Sequence, residues 1–559
     1  MVKLRQNNTE SAPKVYIVFI ALVTIGLPLS KVVMSVSQML LLLLWLLWGG
    51  SAKEAFSGFR NNRFPGGLAK LVRYTGKLIA TNVAARTKLF YKNKPALILA
   101  SVFFIHAVGV IYSSNMHYAA KDLRIKLPLL IFPLVFSSMP KISYRQFKII
   151  LSVFVGAVSV GVTLSLIKYF TGNYIDVREL SPFLSPIRFS LNVLFSIFVL
   201  IYFIVYDKSF SISQKITSAV LIIAFIYLLL KIESLTALGI LAVFLVVLMF
   251  FYMVKLKSFY IKAAIVLAMI SFPAGLGIYV YNIVEKAVTP PAIDFSKLDK
   301  TTAKGNSYDH DFGLGIEDGK YVGLYICKKE LREEWNRRSK LDYDGKALNG
   351  DNLDNILIRY LTSKGLRKDA SGIDSLSAWD IQKVEEGIAN ISYITHPGLK
   401  SRILKVILGY QRYQTYGDPS GNSIMQRYEY LKGSYLLIKK HWLIGVGTGD
   451  MEDDLYAQYR EMNSKLKSKF IFHPHNQFVT LTIMLGVLGL LWFLFSLIYP
   501  PYITGYFKDY FFLAFFVMII LSMLSDDTLD TQAGATLFAF FYSFLLLTRK
   551  EKNSLYISL

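Results

Sequence analysis

The chain has a single cysteine in 559 residues, Cys327, so no intramolecular disulfide can form. It is also short of acid: 38 aspartates and glutamates face 62 lysines and arginines, a formal net charge of +24. In a soluble protein that excess would suggest nucleic acid. Here the basic residues concentrate between apolar runs, which points to membrane lipids and excludes nucleic acid as the expected partner. No internal repeat or low-complexity tract is present. The basic N-terminus and the apolar run 15–31 resemble a signal sequence, but no small-residue cleavage site precedes the next run. Both runs are therefore expected to be retained helices.

Apolar sequence is abundant: 53% of the residues are hydrophobic and the mean hydropathy is +0.42. Twelve runs, the first at 15–31 and the last at 531–548, approach the roughly 20 residues that cross a hydrocarbon core. The expected fold is an all-α polytopic membrane protein of about twelve transmembrane helices. Residues 1–282 would form an N-terminal bundle of about nine, 283–475 a large, mainly helical external insertion, and 476–559 about three C-terminal helices. The run 127–139 is short and contains proline, which suits a broken or partly crossing segment, and 63–90 suits an amphipathic surface helix. Between residues 49 and 94, Lys53, Arg60, Arg63 and seven further cations face Glu54 alone. By the positive-inside rule this connection is cytoplasmic, as are Lys141–Lys148, Lys255–Lys262 and the basic tail, and both termini fall inside. Within the insertion, Gly319–Tyr325 reads as a strand, and Glu330–Arg338 and 427–440 read as helices.

The candidate reactive groups fall on the outer side of this topology. Arg427 opens the pattern Arg427-Tyr428-Glu429-Tyr430, and a guanidinium there suits a bidentate phosphate contact, a salt bridge or a solvated helix start. Gly445, Gly447 and Gly449 permit a tight turn returning the chain to the membrane; the pattern lacks the spacing of a nucleotide fingerprint. His475 lies at the entry to an apolar run, where a neutral imidazole can position or deprotonate a sugar hydroxyl, or simply mark an interface. Asn476 could orient that loop or a glycan, and His473 could tune the electrostatics of His475. Arg188, Arg124 and Lys126 suit either a positive patch toward an anionic lipid head or snorkelling anchors. Asp526, Asp527 and Asp530 lack a metal-ligand set and read as a polar outer loop.

The segment His475-Asn476, nine intervening residues and Gly486-x-x-Gly489 resembles the signature of the bacterial O-antigen ligase family. Gln426-Arg427-Tyr428-Glu429-Tyr430 and Trp442-Leu443-Ile444-Gly445-Val446-Gly447 are similar to its external arginine helix and glycine turn. The long stretch around Leu357–Leu366 looks like the enlarged periplasmic loop of Bacteroidota-type members. The resemblance implies a metal-independent, inverting membrane glycosyltransferase of the C-superfamily type, without cofactor, in the bacterial inner membrane. It would transfer O-antigen glycan from undecaprenyl pyrophosphate to lipid A–core at the periplasmic face. A polymerase extending carrier-linked glycan and a non-enzymatic polysaccharide-lipid transporter remain alternatives, and oligomeric state is open. Carried onto this chain, the resemblance makes His475 catalytic, Arg427 catalytic and pyrophosphate-binding, and Arg188 a further pyrophosphate ligand; Asn476, Arg124 and Lys126 are secondary candidates. One departure is local: many relatives place arginine after serine at an outer helix start, where this chain reads Ser234-Leu235-Thr236.

Overall fold

A computed structural model of the chain describes residues 12–47, 67–172, 174, 177–290, 292–395, 398–467, 470 and 473–549. The basic residues Lys53, Arg60 and Arg63 and the tail beyond Arg549 lie outside the described residues. The described chain is mostly α-helical. The strand expected over Gly319–Tyr325 contracts to a two-residue pair, Ile316–Glu317 against Lys320–Tyr321. Asp318 (φ 50°) and Gly319 (φ 74°) turn between them, both left-handed as a type I′ hairpin requires. Helices Lys328–Arg338 and Ser423–Lys440 occur where the spacing predicts them, and Gly67–Lys92 covers most of the basic 63–90 region.

The expected count of about twelve membrane helices is wrong. Among the described residues six helices are long and apolar enough to cross a membrane: Lys94–Ile111, Tyr144–Thr171, Pro186–Val205, Ile212–Lys231, Phe259–Val288 and Gln477–Thr504. Other apolar runs form shorter helices, among them Lys14–Leu29, Lys31–Leu47, Tyr510–Met523 and Gln532–Leu547. At 1.5 Å per residue, a helix of 16 residues is about 24 Å long, short of the roughly 30 Å hydrocarbon core. The run 127–139 becomes Pro128–Ser138, 11 residues long. Hydropathy recorded burial inside protein as well as burial in lipid. Gln532–Leu547 shows this directly, since Ala533 through Leu547 are all buried.

The chain divides into two compact units. The first comprises Met1–Tyr252, Tyr430–Asn463 and Phe472–Leu559. Its centre is aromatic: Phe541 packs edge-on against Phe154 and Phe195, with ring centroids 4.9 and 4.7 Å away, and Phe515 joins them at 5.2 Å from Phe195. Two of its buried tyrosine hydroxyls find backbone acceptors, Tyr510 on Phe198 at 3.0 Å and Tyr542 on Leu497 at 2.7 Å.

The second unit comprises Met253–Glu429 and Ser464–Ile471. Leu331, Trp335, Leu353, Leu357, Leu361 and Val384 form its core. The indole of Trp335 donates to the Leu341 carbonyl at 2.9 Å. Ile283 and Ala287 of Phe259–Val288 pack against Leu404 of Leu399–Tyr416 as a smaller cluster. Buried Glu317 is held by both arms of Arg359 (2.6 and 3.1 Å) and by the Asn390 amide at 3.1 Å, so its charge is matched where water cannot reach it.

Candidate functional site

The entry to helix Gln477–Thr504 is built by Asn476. Its side-chain oxygen accepts from the N–H groups of Phe478 (3.1 Å) and Val479 (3.2 Å), capping the helix. Its amide nitrogen donates to the Leu524 carbonyl at 3.1 Å, tying the cap to the connection that carries Asp526, Asp527 and Asp530. His475, just before the cap, has φ 54°, a left-handed conformation rare outside glycine. Asp527 holds it there: one carboxylate oxygen accepts the His475 N–H at 2.9 Å and the other accepts the Thr480 hydroxyl at 2.6 Å. The imidazole is partly exposed, with Nδ1 3.8 Å from Asp526 and 4.0 Å from Asp527. Those separations are too long for hydrogen bonds, yet they leave two carboxylates beside the ring. The ring of buried Tyr430 lies 5.9 Å from the imidazole, centroid to centroid.

The three aspartates are not a polar outer loop. Asp526 and Asp527 are buried and the Asp530 side chain nearly so; Asp526 and Asp530 are matched by cations from distant sequence, and Asp527 by neutral donors. Arg188, in the first turn of Pro186–Val205, pairs with Asp526 at 2.6 Å and also donates to the Asp527 carbonyl (3.1 Å) and the Thr531 hydroxyl (3.2 Å). Lys126, fully buried at the end of helix Met116–Lys126, pairs with Asp122 one turn earlier and with Asp530 at 3.1 Å. His473 places Nδ1 3.9 Å from Asp530, and Gln477 joins by accepting the Leu529 N–H at 2.6 Å. A cavity of about 150 Å³ opens beside this group, lined in part by Tyr118, Glu452, His473 and Asp530. Arg124 is exposed on the same helix as Lys126.

Burial and charge set the protonation of the cluster. Burial pushes the Asp527 carboxyl up to about 6, helped by the neighbouring Asp530 charge. Burial alone would also raise Asp530, but Lys126 and His473 outweigh it and hold that carboxyl well below the ordinary range. Burial would lower His473, yet its contact with Asp530 raises it. Among the described residues, no group of three or more His, Cys, Asp and Glu side chains is arranged to hold a metal ion.

The glycine motifs have a common physical cause. Helix Gln477–Thr504 breaks its helical path at Gly486 (φ 64°, ψ −171°). The carbonyls of Ile483 and Met484 accept instead from the N–H groups of Val446 and Gly447, each at 2.9 Å. On the other side of the break, Val487 and Leu488 donate to the carbonyls of Trp442 (2.8 Å) and Leu443 (3.3 Å). A Cβ on Gly486 would stand 2.2 Å from the Leu443 carbonyl, so the backbones approach only because that side chain is missing. The same turn is anchored further on by Thr448, whose hydroxyl donates to the His106 carbonyl at 2.8 Å.

The structure thus brings His475, Asn476, Arg188 and the Asp526–Asp530 connection together within the first unit, with Lys126 at the far end of the same acidic row. Arg427 belongs to the second unit, half-buried, one turn before Tyr430 on helix Ser423–Lys440. Asp526 and Asp527 beneath the imidazole, and Thr480, carry no local motif. Their one sequence signal is the recurrence of acid in a connection between strongly apolar runs.

Residues 388–494 match the family described as O-Antigen ligase. The match supports broad membership of that family, and an enzymatic role in O-antigen ligation or related glycan transfer. It contains Arg427, the glycine turn, His475, Asn476 and the break at Gly486. No curated protein matches the chain. The six long apolar helices accord with a multi-pass membrane protein.

Proposed function

We propose that this chain transfers O-antigen glycan from undecaprenyl pyrophosphate to a sugar hydroxyl of lipid A–core, at the periplasmic face of the bacterial inner membrane. Residues 283–475 would lie in the periplasm and both ends of the chain in the cytoplasm. One observation carries the reading: within a segment that matches O-antigen ligases, a partly exposed imidazole stands beside two buried carboxylates.

The acceptor hydroxyl oxygen attacks the anomeric carbon as the bond from that carbon to the pyrophosphate oxygen breaks, inverting the configuration. His475 takes the hydroxyl proton, and Asp526 and Asp527 stabilise the imidazolium that forms. Arg427 neutralises the departing pyrophosphate. Arg188, already engaged by Asp526, acts by fixing the carboxylates beneath His475. The donor carries its own leaving group, so no nucleotide, metal or other cofactor enters the step.

The test uses the purified full chain with a defined undecaprenyl-linked donor and, separately, lipid A–core, carrier-linked glycan and protein acceptors. Glycan joined to lipid A–core is the expected product. Extension of carrier-linked glycan would replace this reading with a polymerase, and lipid movement without a new glycosidic bond would replace it with a transporter.

A further inference from the structure

The second unit contains a cleft of about 840 Å³ that no step of the transfer uses. It lies between the 313–317 loop, the start of helix Leu353–Lys364 and the end of helix Leu399–Tyr416. That volume is near the upper end of small-molecule sites, about 300–1,000 Å³.

Its chemistry is selective. The side-chain amides of Asn352, Asn355 and Gln411 line it, and among the described residues none of the three makes a side-chain hydrogen bond. Each offers donors and an acceptor together. Thr415 spends its hydroxyl proton on the Gln411 carbonyl at 3.0 Å, so its oxygen can only accept from a ligand. Tyr416 is 57% exposed at the rim and supplies a flat apolar face. Charge is nearly balanced: Glu317 and Asp351 face Arg359, Arg412 and Lys467, and the Glu317–Arg359 pair is closed on itself. A phosphate ligand would call for concentrated, uncommitted cations, whereas Arg359 and Arg412 pair with Glu317 and Asp418, leaving Lys467. A lipid or apolar peptide would call for a continuous exposed aliphatic wall, whereas Val322, Ile356 and Ile358 are buried and Leu314 is the one exposed aliphatic side chain of the lining. Sugar rings present hydroxyls that both donate and accept, with apolar C–H faces that stack on aromatic rings.

We infer that this cleft, lined by Asn352, Asn355, Gln411, Thr415 and Tyr416, binds a stretch of largely neutral oligosaccharide, a glycan subsite separate from the residues assigned to bond formation. That the glycan is the one transferred rests on the ligase reading; that the cleft takes sugar does not.

The experiment measures binding by calorimetry to the full chain in lipid nanodiscs. The probe is polysaccharide released by mild acid from the source cells' lipopolysaccharide, sized to a few repeat units, with inorganic pyrophosphate as the contrasting ligand. Wild type should bind the glycan, the Asn355→Ala/Gln411→Ala double variant roughly tenfold more weakly. Asn355→Trp, which fills the cleft from an exposed helix position, should abolish the binding, and His475→Ala should bind as wild type does. Absence of glycan binding by folded wild type, equal binding by the cleft variants, or displacement of the glycan by pyrophosphate would each overturn the inference. Transfer is assayed separately. Cleft-dependent binding without transfer sinks the ligase reading alone, and transfer without cleft-dependent binding sinks the cleft alone.

Discussion

The backbone N–H of His475 donates to Asp527 at 2.9 Å, so one carboxylate both holds the histidine in a left-handed conformation and lies 4.0 Å from its ring. Position and electrostatics are therefore separable by substitution. Asp527→Asn keeps an acceptor for that N–H but removes the charge. It should lower the turnover number roughly tenfold or more with little change in KM. Asp527→Ala, which also frees the backbone, should be worse. Steady-state transfer kinetics of the two variants decide this, and equal rates would remove Asp527 from the account.

Acidity gives a second handle on the same carboxylate. Burial, with Asp530, pushes Asp527 up to about 6, so it gains a proton below that pH and His475 loses a neighbouring anion. Transfer should fall as the pH drops through about 6, and Asp527→Asn should lack that limb. Stability runs the other way. The folded chain binds this proton more tightly than the unfolded one, so the penalty builds between the ordinary 3.8 and about 6 and is complete above it. Wild type should gain melting temperature relative to Asp527→Asn as pH falls from 7 to 5. A constant difference would contradict the assignment.

Lys126 is fully buried between Asp122 and Asp530. Lys126→Met keeps the volume but strands two carboxylates, which should cost about 3–5 kcal/mol of stability. Adding Asp530→Asn should restore part of the loss. Thermal unfolding in detergent measures both, and an unchanged melting point in the single variant would show that the pair contributes nothing.

At Gly486 the expected defect is steric. Gly486→Ala combines a left-handed backbone with a Cβ 2.2 Å from the Leu443 carbonyl, and should destabilise by at least about 1–3 kcal/mol. Gly239→Ala, where a Cβ meets nothing within 4 Å, is the control and should stay within about 0.5 kcal/mol of wild type. Equal behaviour of the two would refute the close approach.

Local chemistry was the legible part of the sequence. His475 reads as the entry to an apolar run and Gly445–Gly449 as a tight turn; the cap made by Asn476 and the close backbone approach at Gly486 come from the structure. The spacing of Glu330–Arg338 and 427–440 reads directly as helix. Long-range pairing was not legible: Arg188 meets Asp526, and Lys126 meets Asp530, across more than 300 residues. For the same reason the aspartates read as a polar loop, since the cations that match Asp526 and Asp530 lie far away in sequence. The membrane count failed on length. The run 15–31 folds as Lys14–Leu29 and the next apolar run as Lys31–Leu47, both short, and apolarity alone does not distinguish a lipid-spanning helix from one packed inside protein.

In the proposed transfer the His475 imidazole carries the proton of the acceptor hydroxyl. Its most direct test is single-turnover transfer to lipid A–core by His475→Ala in nanodiscs, with helix content and melting point matched to wild type. The bond-forming rate should drop about 10²- to 10⁴-fold while donor binding is kept. A folded variant that forms the glycosidic bond at the wild-type rate would contradict it.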